Sequence, residues 1–284
     1  MTSVRRTITY KQGDDKMYIF GHSVNPNARE VSYNPETHIS VNHGLEIFLL
    51  LKGEIDFLIE NSTYPLSERD ILLINETEVH TLRSVRDSEY ERITLHIFPS
   101  FFEKYGVADY KKVFYERVPG RHNRIRGYSP EGEQLYALFM KMERYIQENP
   151  TCDKVIDAVL IEILYLLNSA SLSEGDRKKV NETVAGILRY INEHLSDSLT
   201  LNEIAETFYI SKYHLCHIFK KSTGFSIKDY IIQKRILLVQ SLCQNGMRIS
   251  EAAAQAGFGN YSNFYRIYVD RTGHSPSKTL KTQI

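Results

Sequence analysis

The spacing of apolar residues changes along the chain, from an alternation typical of strands to a helical period. From Thr7 to Phe98, the chain is predicted to form short strands with close turns, as at Gly53. Ile55, Phe57 and Ile59 alternate with their neighbours, which is the period of a β-strand. Many short strands with close turns predict a barrel or sandwich. The predicted strands are 45–51, 55–59, 70–74, 79–82 and 91–98.

After about residue 130, apolar residues recur every three or four positions, which predicts two amphipathic helices over 131–170. Their apolar faces need a partner surface, and two candidates remain open: the barrel, or the same helices of a second chain. The first stripe comprises Leu135, Leu138, Phe139 and Met142, and the second comprises Val155, Val159, Ile163, Leu166 and Leu167.

Residues 181–284 contain the strongest local signals in the chain. Thr200 and Glu203 form a Thr-x-x-Glu capping box that predicts the start of a short helix. After a tight turn, Ser211 is a favourable N-cap for the next helix, which is expected to end before Gly224. A short capped helix, a turn and a second helix with exposed polar and aromatic side chains predict a helix-turn-helix unit.

The same pattern occurs a second time. Ala205 matches Ala253 at an offset of 48 residues, and Ser211 matches Asn260 at an offset of 49. Between the two units, residues 227–244 are predicted to form one connecting helix. If each second helix enters a major groove, the two should lie about one turn of DNA, ~34 Å, apart on one face of the duplex.

The exposed N-terminal residues of each second helix are predicted to face base edges. Arg266 is the best direct reader, because a guanidinium can donate two hydrogen bonds to guanine, and Asn263 can pair with adenine. Lys212, Lys220 and Lys221 are predicted phosphate contacts, which position the protein without reading sequence. For each residue the alternative is a solvated helix face. The base-facing set comprises Tyr213, Cys216 and His217 in the first unit, and Tyr261, Ser262, Asn263, Tyr265 and Arg266 in the second.

Charge and composition narrow the class of protein. The net charge of zero combines −4 over residues 1–180 (23 Lys and Arg, 27 Asp and Glu) with +4 over 181–284 (12 and 8). A basic second part favours a polyanionic partner, with chance fluctuation as the alternative.

Three unpatterned Cys exclude a disulfide framework and fit a reducing compartment. No apolar run approaches the ~20 residues of a membrane span and no secretory signal is present, so we expect a cytoplasmic protein.

Residues 182–276 resemble the DNA-binding domain of the AraC-type (arabinose-regulator) transcription factors. His217 stands where the family usually has Arg, Tyr268-Val269 where Phe-Lys is usual, and Thr279-Leu280 where Tyr-Arg is usual. The resemblance implies a DNA-binding transcription regulator, with activation as the commoner family role, that binds double-stranded promoter DNA and acts with RNA polymerase. The matching segments are 190–194, 204–205, 211–220, 224–226, Arg235, 257–266 and 273–276.

Residues 30–98 resemble, less strongly, the cupin-like effector domain found at the front of many family members. The similar stretches are 42–47, Gly53, 70–74, His80 and 91–92. This resemblance implies a pocket inside the barrel for a small molecule such as a sugar or another metabolite, and a homodimer formed through the flanking helices.

His43, Glu46 and His80 are the candidate effector-binding residues. In cupin enzymes such a set of imidazoles and a carboxylate holds a metal, but Val41 stands where another His is usual. The set is therefore open to three interpretations: hydrogen bonds to a polar effector, structural histidines, or a metal site. We expect no metal, no cofactor and no enzymatic activity, since no catalytic motif occurs elsewhere. Two further histidines are secondary candidates for the same site, His38 and His96. His96 lies on the strand face opposite Ile93 and Leu95.

The sequence thus predicts a two-domain protein: an N-terminal all-β cupin-like barrel with flanking helices, and a C-terminal all-α double helix-turn-helix domain. The expected boundaries are 1–130 for the effector-binding barrel, 131–170 for a helical dimerisation segment, 171–180 for a linker and 181–284 for the DNA-binding domain. The alternatives are a ligand-free regulator whose barrel only dimerises, and a metal-cupin enzyme fused to a DNA-binding domain.

Overall fold

The computed structural model describes residues 6–11, 17–25, 44–84, 89–151, 153–170, 172 and 182–280. It has a β-rich N-terminal part followed by helices and a wholly helical C-terminal part, which confirms the predicted fold class. Within the described ranges, no helix combines the length and apolar character needed to span a bilayer. The predicted linker, apart from residue 172, lies outside the described residues.

Two antiparallel sheets form the N-terminal part. The six-stranded sheet has the order β1-β2-β8-β3-β6-β9, and the three-stranded sheet has the order β5-β4-β7. The five strands with predicted bounds are present, with shifts of no more than two residues at their ends. Three further strands, β1, β2 and β5, fall in the predicted β region without individual bounds, and β9 was not predicted. The bounds are β1 Arg6–Lys11, β2 Tyr18–Asn25, β3 Leu45–Lys52, β4 Ile55–Ile59, β5 Ser62–Leu66, β6 Ile71–Ile74, β7 His80–Ser84, β8 Tyr90–Ile97 and β9 Arg124–Ile125.

The six-stranded sheet is buried on both faces. Phe48 and Leu72 contribute to the core that it shares with the three-stranded sheet, where Phe57 contacts Phe48 at a ring-centroid distance of 4.9 Å. On its other face, Ile47 and Ile93 belong to a second core with the helices. A strand buried on both faces loses the simple alternation of apolar and polar residues.

The helices that follow the barrel pack on this second core. Four helices are involved: α1 Pro99–Tyr105, α2 Lys112–Tyr115, α3 Pro130–Glu148 and α4 Asp153–Ser169. Phe139 of α3 and Ile163 of α4 are fully buried against the sheet. The apolar stripes are therefore covered within the chain to a large extent. Val155, predicted as part of the second stripe, is instead exposed, because it lies one residue outside the buried face at Ile156.

A buried polar cluster fixes the end of the barrel near β7. The carboxylate of Glu78 accepts hydrogen bonds from Arg117 at 2.6 and 2.7 Å and from the backbone N–H of Gly120 at 2.6 Å. Asn123, also fully buried, donates to Glu78 at 3.1 Å and to the Leu73 carbonyl at 2.8 Å. A buried charge is tolerated when its hydrogen bonds are satisfied in this way.

The C-terminal part contains the predicted helices and two separate cores. The first core is formed by α5, α6, α7 and the start of α8, and the second by the rest of α8 with α9, α10 and Leu280. The single connecting helix predicted over 227–244 is confirmed as α8. The bounds are α5 Glu182–Glu193, α6 Leu201–Thr207, α7 Lys212–Thr223, α8 Ile227–Gln244, α9 Ile249–Gln255, α10 Tyr261–Thr272 and α11 Pro276–Thr279.

Candidate DNA-reading surface and effector pocket

Helices α6 and α7 form the first helix-turn-helix unit. Thr200 accepts a hydrogen bond from the N–H of Glu203 at 3.2 Å, and the Glu203 carboxylate accepts one from the N–H of Thr200 at 2.9 Å, so the predicted capping box is present. Ser211 caps α7 by accepting from the N–H of His214 at 3.2 Å. The helix ends at Gly224, whose φ of 81° is left-handed, as predicted.

The second unit repeats the turn geometry of the first. The N–H of Ile210 donates to the carbonyl of Ala205 at 3.0 Å, and the N–H of Phe258 donates to that of Ala253 at 3.1 Å. Each donor and acceptor in one unit is 48 residues from its counterpart in the other. The residue before each donor is left-handed, Tyr209 in the first turn and Gly257 in the second, with φ values of 54° and 85°. The two units therefore share this turn hydrogen bond and left-handed residue, and the second turn has one residue more before its N-cap, Asn260 instead of Ser211.

In α7 the side chains divide into a buried face and an exposed face. Tyr213 is 83% exposed and its ring is parallel to that of His217, with centroids 6.5 Å apart. Cys216 is only half-exposed, so it presents less surface than its neighbours. The residues that anchor the helix inward are Leu215, Ile218 and Phe219, and the predicted contacts Lys212, Tyr213, His217, Lys220 and Lys221 are exposed.

In α10 the predicted readers lie on the outer face, but one of them is already engaged. Tyr261, Ser262, Tyr265 and Arg266 are exposed. The side-chain amide of Asn263 donates to the Phe258 carbonyl at 3.3 Å. Its Oδ1 accepts from Arg266 at 3.4 Å. Within the protein Asn263 is thus a support for Arg266, a role that its sequence position did not suggest. The sequence prediction also omitted Tyr209, which is 96% exposed beside α7.

The barrel interior contains a polar group at the end of β3. Glu46 lies opposite His96 in the β3–β8 pairing, and its Oε2 is 3.3 Å from Nε2 of His80 and 4.0 Å from Nδ1 of His96. His43 lies outside the described residues. His96 was only a secondary candidate in the sequence analysis, because it lies on the strand face opposite Ile93 and Leu95. That face is nevertheless the barrel interior, since the apolar face is covered by α3 and α4.

Glu46 and His80 form a buried ion pair. Burial alone raises the pKa of a carboxyl, but His96, the hydrogen bond from His80 and the charge of Arg92 lower that of Glu46 to about 2. Burial lowers the pKa of His80, whereas its hydrogen bond to Glu46 and the negative charge of Glu46 raise it above the ordinary 6.5. The pocket therefore presents an acceptor and a donor side by side. Among the described residues, no group of three or more His, Cys, Asp or Glu side chains is arranged to hold a metal ion.

Glu46→Gln is expected to lower the pKa of His80, because burial remains while the charge that raises that pKa is removed. An NMR titration of the histidine ring protons measures the change. His22 is the internal control, because its pKa is raised by Glu143 and Glu91 instead. If the pKa of His80 stays in place in Glu46→Gln, the ion pair is absent.

The same pair defines a pH window for stability. A raised pKa of His80 adds stability below its unfolded value of about 6.5, and this contribution is lost as pH rises through the folded pKa. The lowered pKa of Glu46 adds stability above its unfolded value, and this contribution is lost as pH falls toward about 2.

Two family models match the chain, one for each part. The AraC-like ligand binding domain matches residues 25–164, and a helix-turn-helix domain matches residues 204–282. The Msm operon regulatory protein of Streptococcus mutans is 31% identical over 153 residues, which are 51% of this chain and 55% of that protein. The uncharacterized HTH-type transcriptional regulator YdiP of Escherichia coli K12 is 24% identical over 271 residues, 93% of this chain and 82% of that protein.

Among solved structures, ToxT from Vibrio cholerae aligns with 98% of this chain and 98% of its own, at 16% identity and a TM-score of 0.40. The family models cover the barrel with its flanking helices and the double helix-turn-helix region, in the order that the fold shows. The relatives are named as regulators, so the alternative of a metal-cupin enzyme is not supported. The chain belongs to the AraC family of DNA-binding transcription regulators and is not an enzyme.

Proposed function

We propose that this regulator is a cytoplasmic homodimer that binds a promoter site through α7 and α10 together and activates transcription with RNA polymerase. The supporting observation is the correspondence of the two units: each has the same turn hydrogen bond, a side-chain N-cap and an exposed N-terminal face on its second helix. They share α8, so one stiff element sets their separation. Helices α3 and α4 are the proposed dimerisation segment, and the exposed Tyr165 on α4 is available to it.

Selection of bound duplexes from a random pool tests this proposal. Two conserved blocks whose centres lie about one helical turn, 10–10.5 base pairs, apart are expected. A single block, or no enrichment, would contradict simultaneous binding by α7 and α10. The recovered site then serves as the probe for the variants of DNA-contacting residues.

Lys220→Ala is expected to weaken binding to all duplexes by similar factors and to reduce the slope of log affinity against log salt by about one. The reason is that an exposed lysine beside the groove neutralises one phosphate without reading a base. Fluorescence anisotropy at several salt concentrations measures both effects. A loss confined to the selected site would instead assign Lys220 to base recognition.

We further propose that the barrel binds a polar, hydroxyl-bearing effector such as a sugar. Glu46 accepts and His80 donates hydrogen bonds, which suits a molecule whose hydroxyls do both. Glu76 and Glu78 also line this end of the barrel, so an anionic effector is disfavoured. A panel of monosaccharides is tested by thermal shift, because a ligand of the native state raises the melting temperature. If none does so, the ligand-free regulator becomes the better interpretation.

A further inference from the structure

One face of α8 packs directly on the barrel through a buried polar contact. The hydroxyl of Tyr230 donates to Oε2 of Glu60 at 2.7 Å. Nζ of Lys234 donates to Oε1 of Glu60 at 2.6 Å and to the Thr77 carbonyl at 2.8 Å. We call these four residues the latch. They join positions more than 150 residues apart, so they connect the N-terminal part to the helix that carries both DNA-binding units.

Glu60 is held in place for this contact by the barrel itself. It occupies the turn after β4 with a φ of 54°, and its Oε1 also accepts from the N–H of Val79 at 2.8 Å. Its side chain is 7% exposed and Tyr230 is fully buried. A buried carboxylate is stable only with its partners in place, and the cation and hydroxyl that complete its shell come from α8.

Apolar contacts extend the same junction. Val79 of the barrel belongs to the core of the first helix-turn-helix unit. A Cβ on Gly224, at the end of α7, would lie 2.8 Å from the Thr81 side chain and 3.6 Å from that of Leu58. Leu58 is on the outer face of its strand but is only 3% exposed. The sequence predicted an alternating strand here, and packing against the end of α7 explains why Leu58 is buried as well.

The same face of α8 covers the effector pocket. Gln233 and Leu237, one turn further along, lie against the barrel end that contains Glu46 and His80. The cavity there has a volume of only about 10 Å³, which is room for about one water molecule. A monosaccharide cannot enter this space unless part of its wall moves.

The opposite side of α8 faces a cleft between the two helix-turn-helix units. Lys228, Ile232 and Arg235 line a cleft of about 660 Å³ between the two units, together with Arg266 and Asn263. At about 100° per residue, the centre of this face lies nearly half a turn from the face on the barrel. A displacement of α8 from the pocket therefore moves the scaffold on which both recognition helices are mounted.

We propose that α8 is the lid of the effector pocket and that the latch holds it shut, so that effector entry and release of the DNA-binding domain are one event. This inference rests on the proposed effector site in the barrel. A ligand that fits only the open form shifts the population toward that form. The direction of coupling follows: weakening the latch should imitate the effector, and Gln233 should line the site from the DNA-binding side.

The lid is tested in the full-length chain without any effector, through access to His80. Diethyl pyrocarbonate modifies accessible neutral imidazoles, and peptide mass spectrometry reads the rate at each histidine. Lys234→Ala and Glu60→Gln are each expected to accelerate modification of His80 by about tenfold or more, since charge-assisted hydrogen bonds that hold the closed form are lost. Small-angle scattering should show a larger radius of gyration in the same variants.

Lys228→Ala is the matched control, because it removes a lysine from the same helix on the side away from the barrel. His22, between Glu91 and Glu143, should react at an unchanged rate in all variants. Lys234→Ala and Glu60→Gln change opposite sides of the latch, so a folding defect in one variant leaves the other as a test. Circular dichroism verifies the fold of each variant.

Unchanged modification of His80 in both latch variants overturns the lid, whatever the effector is. Faster modification without a larger radius of gyration overturns the coupling to domain release. The same monosaccharide panel is then applied to Lys234→Ala by thermal shift. If no sugar raises its melting temperature although His80 has become accessible, the proposed effector class fails and the lid stands.

Discussion

Arg266→Ala is expected to reduce affinity for the selected DNA site by about 1–3 kcal/mol while leaving affinity for scrambled duplexes nearly unchanged. Arg266 is exposed on the outer face of α10, and its guanidinium is oriented by Oδ1 of Asn263 at 3.4 Å. An oriented guanidinium reaches guanine with two hydrogen bonds, and this interaction exists only at the correct base pair. Competition binding with selected and scrambled duplexes measures the two affinities separately.

The companion variant Asn263→Ala separates orientation from contact. If Asn263 acts only by supporting Arg266, the double variant should be no weaker than Arg266→Ala alone, because the support has nothing left to orient. An additional loss in the double variant would show that Asn263 touches DNA itself. Equal losses on matched and scrambled duplexes for Arg266→Ala would assign Arg266 to the phosphate backbone.

The DNA-binding part was predictable because its signals are local. A capping box is complete within four residues, and a left-handed Gly marks a helix end without reference to the rest of the chain. The recurrence of Ala205 as Ala253 then fixed the second unit. The contact between Asn263 and the turn was not predicted, because the hydrogen bond from its side chain to the Phe258 carbonyl depends on the conformation of that turn.

The barrel was predictable only where a strand was strongly apolar. β5 contains Pro65 and two polar residues, and β9 has two residues, so neither has a local pattern that stands out. The partner of β9 is also distant in sequence, as Ile71 is from Ile125, whereas β5 directly follows its partner β4. The face of His96 was undervalued for a related reason: both sides of its sheet are buried, and sequence alternation cannot tell the barrel interior from the helix-covered side.

The junction between the two parts was not predicted at all. In the sequence, Tyr230 and Lys234 occupy ordinary positions of a predicted helix, and Glu60 occupies the polar end of a predicted strand. Only the fold places these three side chains together. Contacts of this kind leave no characteristic spacing in the sequence, because neither the barrel turn nor α8 has a local pattern that indicates its partner.

Phe264→Ala is expected to destabilise the second helix-turn-helix unit by about 3–5 kcal/mol, since it removes a large side chain from a closed core. Phe264 is fully buried and contacts the rings of Phe258 and Tyr268, at centroid distances of 5.1 and 5.3 Å. Because the two units have separate cores, hydrogen exchange should show lost protection in α9 and α10 while α5 to α7 keep theirs. Equal loss in both units would show one cooperative core.

Phe219→Ala is the counterpart of Phe264→Ala in the first unit. For a comparable loss of stability, it should increase hydrogen exchange over a larger part of the protein. The Phe219 ring packs edge-on against Tyr230 at 5.5 Å between centroids, and the hydroxyl of Tyr230 binds Glu60 of the barrel. Lost packing there is therefore expected to increase exchange in the turn around Glu60 as well as in α5 to α7. Phe264→Ala should leave that turn protected, because its core shares no side chain with the barrel among the described residues. The contrast between the two variants follows from the contacts of each core: the core of the first unit includes Val79 of the barrel, and the core of the second contains no barrel residue among those described.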